Sequence, residues 1–180
     1  MNLLLLVISN APRNSGLRVV QSVIFFVPEQ IKEKMNPITI TRKLEFDAGH
    51  RLLNHEGKCA HLHGHRYTAE ITVTADELDA VGRVVDFSVI KERVGEWIDD
   101  NLDHNMILHV DDPLWRAKDV LGSKPPYILP DNPTAENIAK LIFAVSVVKL
   151  EDTGIKVLNV RIYETPNCWA DYGFDQQPTT

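Results

Sequence analysis

The stretch HGHRYTAEITVTA, residues 63–75, decides how this chain folds. From Arg66 onward polar and apolar residues alternate, with Tyr67, Ala69, Ile71 and Val73 on one parity. That is the two-residue period of a β-strand with one buried face. Just upstream, His63 and His65 bracket Gly64. Residues i and i+2 of a strand project to the same face, so two imidazoles converge on one point. The glycine between them leaves the opposite face free or lets another backbone come close.

Working outward, ITITRKLEF (38–46) follows Pro37 and reads as a second strand of β-branched residues. FDAGH (46–50) puts His50 just past its end, where it supplies a third nitrogen if the two strands are neighbours. Three neutral imidazoles with an open fourth position describe a catalytic zinc site. Imidazole also suits copper and iron, so zinc is a preference here rather than a derivation. His61 shares the parity of His63 and His65, and spacing does not exclude it; His55 and His109 have no partner pattern. Cys59 stands four residues before His63. One reading makes it a fourth ligand closing a structural site, as in a zinc-binding interaction module. The other makes it a thiolate base or nucleophile beside the metal. Cys168 lacks such neighbours and reads as a small buried hydrophobe.

Downstream of residue 75, a turn over 75–80 and GRVVDF (82–87) predict a hairpin with a short third strand. Ile90, Val94, Trp97, Ile98 and Leu102 give an amphipathic helix over 88–102. Prolines 113, 125, 126, 130 and 133 make 105–131 an irregular excursion with at most one short helix at 113–121. Pro133-Thr134 with Glu136 starts a second helix, whose stripe is Ile138, Leu141, Ile142, Val145 and Val148. VLNVRIYE (157–164) is a strand in which Leu158, Val160, Ile162 and Glu164 share a face, and CWADY (168–172) is a last edge strand. A carboxylate ending an apolar face is costly unless paired or functional. The order predicts an α+β fold, an antiparallel sheet with two helices on one face. The other face needs water or a partner subunit, which points to a homo-oligomer.

The chain has 180 residues, 19 Lys+Arg against 25 Asp+Glu, and 44% hydrophobic residues. That suits one domain and excludes collagen, disorder and a disulfide scaffold. A net charge of −6 without a long basic run argues against a dedicated nucleic-acid partner. No window approaches the ~20 apolar residues of a membrane span. The apolar start MNLLLLVISN lacks the basic flank of a signal peptide, and two cysteines suggest no secreted framework, so the expected compartment is the cytoplasm. Residues 1–34 carry four basic and two acidic side chains, a net +2 that leaves −8 for the remainder. They read as an appendage to a single domain at 35–180, with Met35 as a candidate natural initiator. N-terminal sequencing that found native protein starting at Met1 would refute the initiator reading.

FDAGHRL (46–52), C-x-x-L-HGH-x-Y (59–67), G-x-V-x-DF (82–87), LDH (102–104), NPTAENIA (132–139) and YET (163–165) occur in that order. Together they resemble the 6-pyruvoyl-tetrahydropterin synthase and 6-carboxytetrahydropterin synthase family of the tunnelling-fold superfamily. The resemblance covers 38–172. It implies zinc ligation by His50, His63 and His65, and a catalytic role for Cys59, which favours base over fourth ligand. It further implies a proton relay through Asp103 and His104, a pterin anchor at Glu164, and a pocket bordered by Thr134 and Glu136. The carboxylate suits a pterin, because it accepts two parallel N–H bonds from a 2-amino-4-oxo pyrimidine edge.

LHGH, the DF pair and NPTAEN look closer to the carboxy-forming, queuosine-pathway branch, a lyase; the pyruvoyl-forming branch is the alternative. The implied substrate is 7,8-dihydroneopterin triphosphate, for which Arg42, Lys43, Arg51, Lys58 and Arg66 are candidate phosphate contacts. The implied assembly is a homohexamer of two stacked trimers forming a barrel, with active sites between subunits. The stretch 105–131 is longer than in compact family members and lies beside the expected pocket.

Overall fold

The computed structural model describes residues 37–117 and 124–174, so the expected appendage at 1–34 lies outside the described residues. Two long antiparallel strands form its axis, β1 (Thr39–His50) and β2 (His63–Ala75). Both run further than their alternation suggested and end in the histidines themselves, with His50 opposite His63 and Ala48 opposite His65. Even-numbered residues of β1 and odd-numbered residues of β2 turn to one face. Phe46, Ala48, Tyr67, Ala69, Ile71 and Val73 are buried there.

The sheet gains β3 (Asn105–His109), β4 (Tyr127–Leu129), β5 (Ile155–Thr165) and β6 (Cys168–Gly173), in the order β4-β3-β1-β2-β5-β6. β3 pairs with β1 and β4 with β3 in parallel, whereas the other pairings are antiparallel. The sheet is therefore mixed, which corrects the antiparallel expectation. Both parallel strands lie inside the proline-rich stretch, and five and three residues are too few to show a period. Of the short helix expected at 113–121, Pro113–Arg116 forms a 3₁₀ turn capped by the Asp112 side chain, and 118–121 lie outside the described residues.

GRVVDF is not a strand. Asp79 folds the segment back by accepting from the Val81 and Arg83 backbone N–H groups. Asp86 caps the next helix by accepting from the Ser88 N–H. That helix, α1 (87–101), contains a π-turn at Lys91–Gly95 between α-helical ends. The turn explains the sequence. Ile90, Val94, Ile98 and Leu102 are all buried, yet steps of four overshoot an α-helical turn by about 40° each. One wider turn takes up the drift and keeps all four on one face.

The second helix, α2 (Ala135–Leu150), buries Ile138, Ala139, Ile142, Ser146 and Leu150. Val148 is exposed, against expectation; the stripe passes through Ser146, whose hydroxyl donates to the Ile142 carbonyl at 2.7 Å. Both helices cover the face that holds Phe46 and Tyr67, forming one hydrophobic cluster. Each large side chain there contributes about 2 kcal/mol on burial.

β5 carries a bulge opposite Thr72/Val73, so Val157 and then Val160 and Ile162 face the core. Leu158 occupies the bulge and leaves the shared face on which it was expected. None of the helices among the described residues is long and apolar enough to cross a membrane.

Candidate active site

His50, His63 and His65 come together at the end of the β1–β2 ladder, each offering a ring nitrogen within 4.8 Å of the others. The His50 Nδ1–H donates to the Pro133 carbonyl at 2.7 Å, and the His63 Nδ1–H donates to the His61 carbonyl at 2.8 Å. In the neutral tautomers these bonds fix, each Nε2 carries a lone pair, and the two Nε2 atoms face each other at 3.0 Å. His65 Nε2 is buried with no hydrogen-bond partner. Lone pairs facing across 3.0 Å repel unless a cation lies between them. Donation of the second ring nitrogen to a backbone carbonyl is the usual support of a metal-bound histidine. The group thus fits a metal ion. Burial, together with the neighbouring histidines, lowers the His50 pKa despite the Pro133 carbonyl and Glu164, so the ring is neutral and ready to ligate.

The backbone of Gly64 is what lets the strands close here, since a Cβ on it would stand 3.0 Å from the Ala48 carbonyl oxygen. Cys59 lies in a 3₁₀ turn (Lys58–Ala60) beside this group. Its carbonyl accepts the Leu52 N–H at 2.8 Å, and its sulfur is not among the converging ligand atoms. Glu164, one residue before the end of β5, has Oε1 at 3.5 Å from His50 Nε2 and 3.8 Å from His65 Nε2. The carboxylate thus rests against the two imidazole nitrogens without accepting a hydrogen bond from them. Thr134 caps α2 through the Asn137 N–H, next to the Pro133 carbonyl that holds His50. Glu136 is exposed in the first turn of α2.

Asp103 and His104 are close to each other but apart from the histidine group. They cluster with Asp47, whose side chain projects from β1 opposite to Ala48 and His50. Asp103 accepts the Asp47 N–H at 2.8 Å with one oxygen and the His104 Nδ1–H at 2.7 Å with the other. The His104 N–H donates to the Asp47 carbonyl, holding His104 at φ +51. Burial works to raise the Asp103 pKa, but the Asp47 N–H, His104 and Lys124 outweigh it and the pKa is lowered. An ionised Asp103 fixes the His104 tautomer and leaves Nε2 pointing outward on a side chain that is 78% exposed. A cleft of about 580 Å³ opens there, lined by Gly49, Gly64, Arg66, His104, Met106 and Lys124 among others.

The basic cluster expected around the metal segment is mostly neutralised within the chain. Asp112, fully buried, takes Arg51 through two bonds of 2.6 Å. Lys43 pairs with Glu70, and Arg66 with Glu45 and Asp47. Lys58 and Arg42 have no carboxylate partner among the described residues. His55 and His109 each accept a backbone N–H two residues on, from Gly57 and Asp111, which accounts for both. Cys168 is exposed on the edge strand, correcting its reading as a buried hydrophobe.

A sequence model of 6-pyruvoyl tetrahydropterin synthase matches residues 39–174. The chain belongs to this family. A 6-carboxy-5,6,7,8-tetrahydropterin synthase of Rickettsia bellii is 45% identical over 137 residues, covering 74% of this chain and 99% of the relative. One from Aquifex aeolicus is 31% identical over 156 residues, covering 74% and 96%. Among solved structures, the 6-pyruvoyl tetrahydropterin synthase of Caenorhabditis elegans superposes with a TM-score of 0.57 at 22% identity, covering 79% of this chain and 99% of its own. A protein of Wolinella succinogenes gives 0.66 at 23% identity, covering 77% and 98%. These two show the fold.

Within this family site, sequence reasoning missed several supports. The Asn132 side chain clamps the loop after β1 by accepting the Leu53 N–H and donating to the Leu53 carbonyl. Asp47 and Asp112 were likewise missed, because nothing in a linear pattern announces a backbone N–H or a carboxylate that serves a residue 56 or 61 positions away.

Proposed function

We propose that the chain is a zinc-dependent 6-carboxy-5,6,7,8-tetrahydropterin synthase, a lyase converting 7,8-dihydroneopterin triphosphate with loss of triphosphate and acetaldehyde, in the queuosine pathway. The observation that carries this is the three-imidazole group, in which the His50 and His63 Nε2 atoms face each other at 3.0 Å and His65 Nε2 is buried without a hydrogen-bond partner. Relatives of that name, matched over nearly their whole length, support it. A zinc ion held by His50, His63 and His65 supplies Lewis acidity toward the substrate's side-chain oxygens. Cys59 accepts and returns the side-chain proton as thiolate. His104, oriented by Asp103, tunes it or serves a second transfer through Nε2. Glu164 binds the pterin edge, and Thr134 and Glu136 border the ring.

Within one chain the Asp103–His104 pair and the histidine group face opposite sides of the sheet. We read the working site as one that a neighbouring subunit completes with its own copy of the pair, in a hexameric barrel of two trimers. The reading places the protein in the cytoplasm, consistent with two free cysteines. The 35–180 domain carries the chemistry on this reading, so a protein starting at Met35 keeps its turnover; loss of turnover would give the first 34 residues a catalytic part.

The mass of the product formed from 7,8-dihydroneopterin triphosphate tests the assignment. A carboxy-pterin with acetaldehyde supports it. A pyruvoyl product moves the chain to the sister activity for which the family model is named.

A further inference from the structure

Tyr67 is fully buried, yet its hydroxyl finds no hydrogen-bond partner. A phenylalanine would fill the same space without leaving a donor unsatisfied, so the hydroxyl is a liability to the fold as it stands. The ring is held firmly. It stacks on Phe46 at 5.1 Å and 15°, and meets the rings of His50 and His65 edge-on at 5.9 and 5.5 Å. Thr68 pairs with Tyr163, so one step further along the ladder Tyr67 stands level with Glu164 on the same face.

Glu164 has the complementary deficit. Its carboxylate accepts no hydrogen bond from the described residues and rests only against the Nε2 atoms of His50 and His65. Those are the nitrogens that turn to a bound ion. Once they do, Glu164 needs another donor to keep it aimed at a ring rather than at the metal.

We infer that Tyr67 is a positioning residue for the pterin ring: its hydroxyl donates to one oxygen of Glu164 and presents that carboxylate to the substrate. This rests on the pterin-anchor reading of Glu164.

The test compares wild type, Tyr67→Phe, Glu164→Gln and the double variant, all metal-loaded and full-length. Measured are KM and kcat for dihydroneopterin triphosphate, neopterin affinity by fluorescence titration, metal content and melting temperature. Tyr67→Phe is expected to raise KM and weaken neopterin binding about tenfold, the scale of a hydrogen bond to a charged group. It should leave kcat within about twofold, because a contact to the ring that is equal in ground and transition states changes KM alone. Metal content should not change, and the melting temperature should hold or rise. In the Glu164→Gln background the same change should have little further effect. An unchanged KM and neopterin affinity overturns the inference, as do a loss confined to kcat, lost metal, or full additivity with Glu164→Gln. A wild type that does not convert the substrate would sink the functional reading itself, a result independent of any variant.

Discussion

Cys59 is the residue on which enzyme and structural zinc module part company. Its sulfur stands outside the converging ligand atoms, so Cys59→Ala should keep its metal and its melting temperature. Turnover should fall by about 10²–10⁴, the usual worth of a positioned acid–base group. Metal analysis and a thermal melt alongside the assay check this; metal lost with the thiol would restore the closed-site reading. The histidine group was legible because a two-residue period is visible in one strand, and His50 needed only the strand pairing. The residues serving these side chains were not legible. Asp47, Asp112 and Pro133 act through contacts that only the folded chain creates, and Pro133 acts through its backbone carbonyl. Tyr67 read simply as an apolar position of the strand, which describes its ring and misses its oxygen.

Among elements, the loop after β1 is fastened to the proline-rich stretch by Arg51 and Asp112, immediately beyond His50. Burial by itself raises the Asp112 pKa, but the Arg51 bonds and the Leu114 N–H prevail and lower it from the ordinary 3.8. A depressed folded pKa contributes stability that is present above the unfolded value and lost as pH falls through the folded one. Asp112→Asn should therefore cost about 3 kcal/mol near neutrality, by leaving Arg51 without its counter-charge. The gap to wild type should narrow below about pH 4. Denaturant melts at several pH values measure both, and a gap independent of pH would contradict the ion-pair account.

The elements themselves were legible where alternation or helical spacing ran long, as in β2, α1 and α2. They were misread where one residue shifted the phase. The bulge at Leu158 moved it off the core face, Ser146 took the place expected of an apolar residue, and Asp86 drew GRVVDF into a helix cap instead of a strand.

For the whole molecule, the sheet lies between the histidine group and the Asp103–His104 pair, so in the proposed assembly one subunit's Cys59 works with another's His104. Co-expressing Cys59→Ala with His104→Ala chains should recover about a quarter of wild-type activity by random assortment in a closed ring, although each variant alone is nearly inactive. No recovery in verified mixed oligomers would place the whole site in one chain. The arrangement of subunits was beyond the sequence's own patterns, which indicate an uncovered face but not what meets it.

The π-turn of α1 has a bearing on how such chains can vary in length. α1 runs straight into Asp103 and His104, and each residue added or removed upstream swings this pair by about 100° and shifts it 1.5 Å along the axis. Deleting one residue within 91–95 would give an ordinary α-helix, with better backbone geometry, that aims His104 elsewhere. The residue count of α1 therefore cannot change without redirecting His104, whatever its effect on the helix itself.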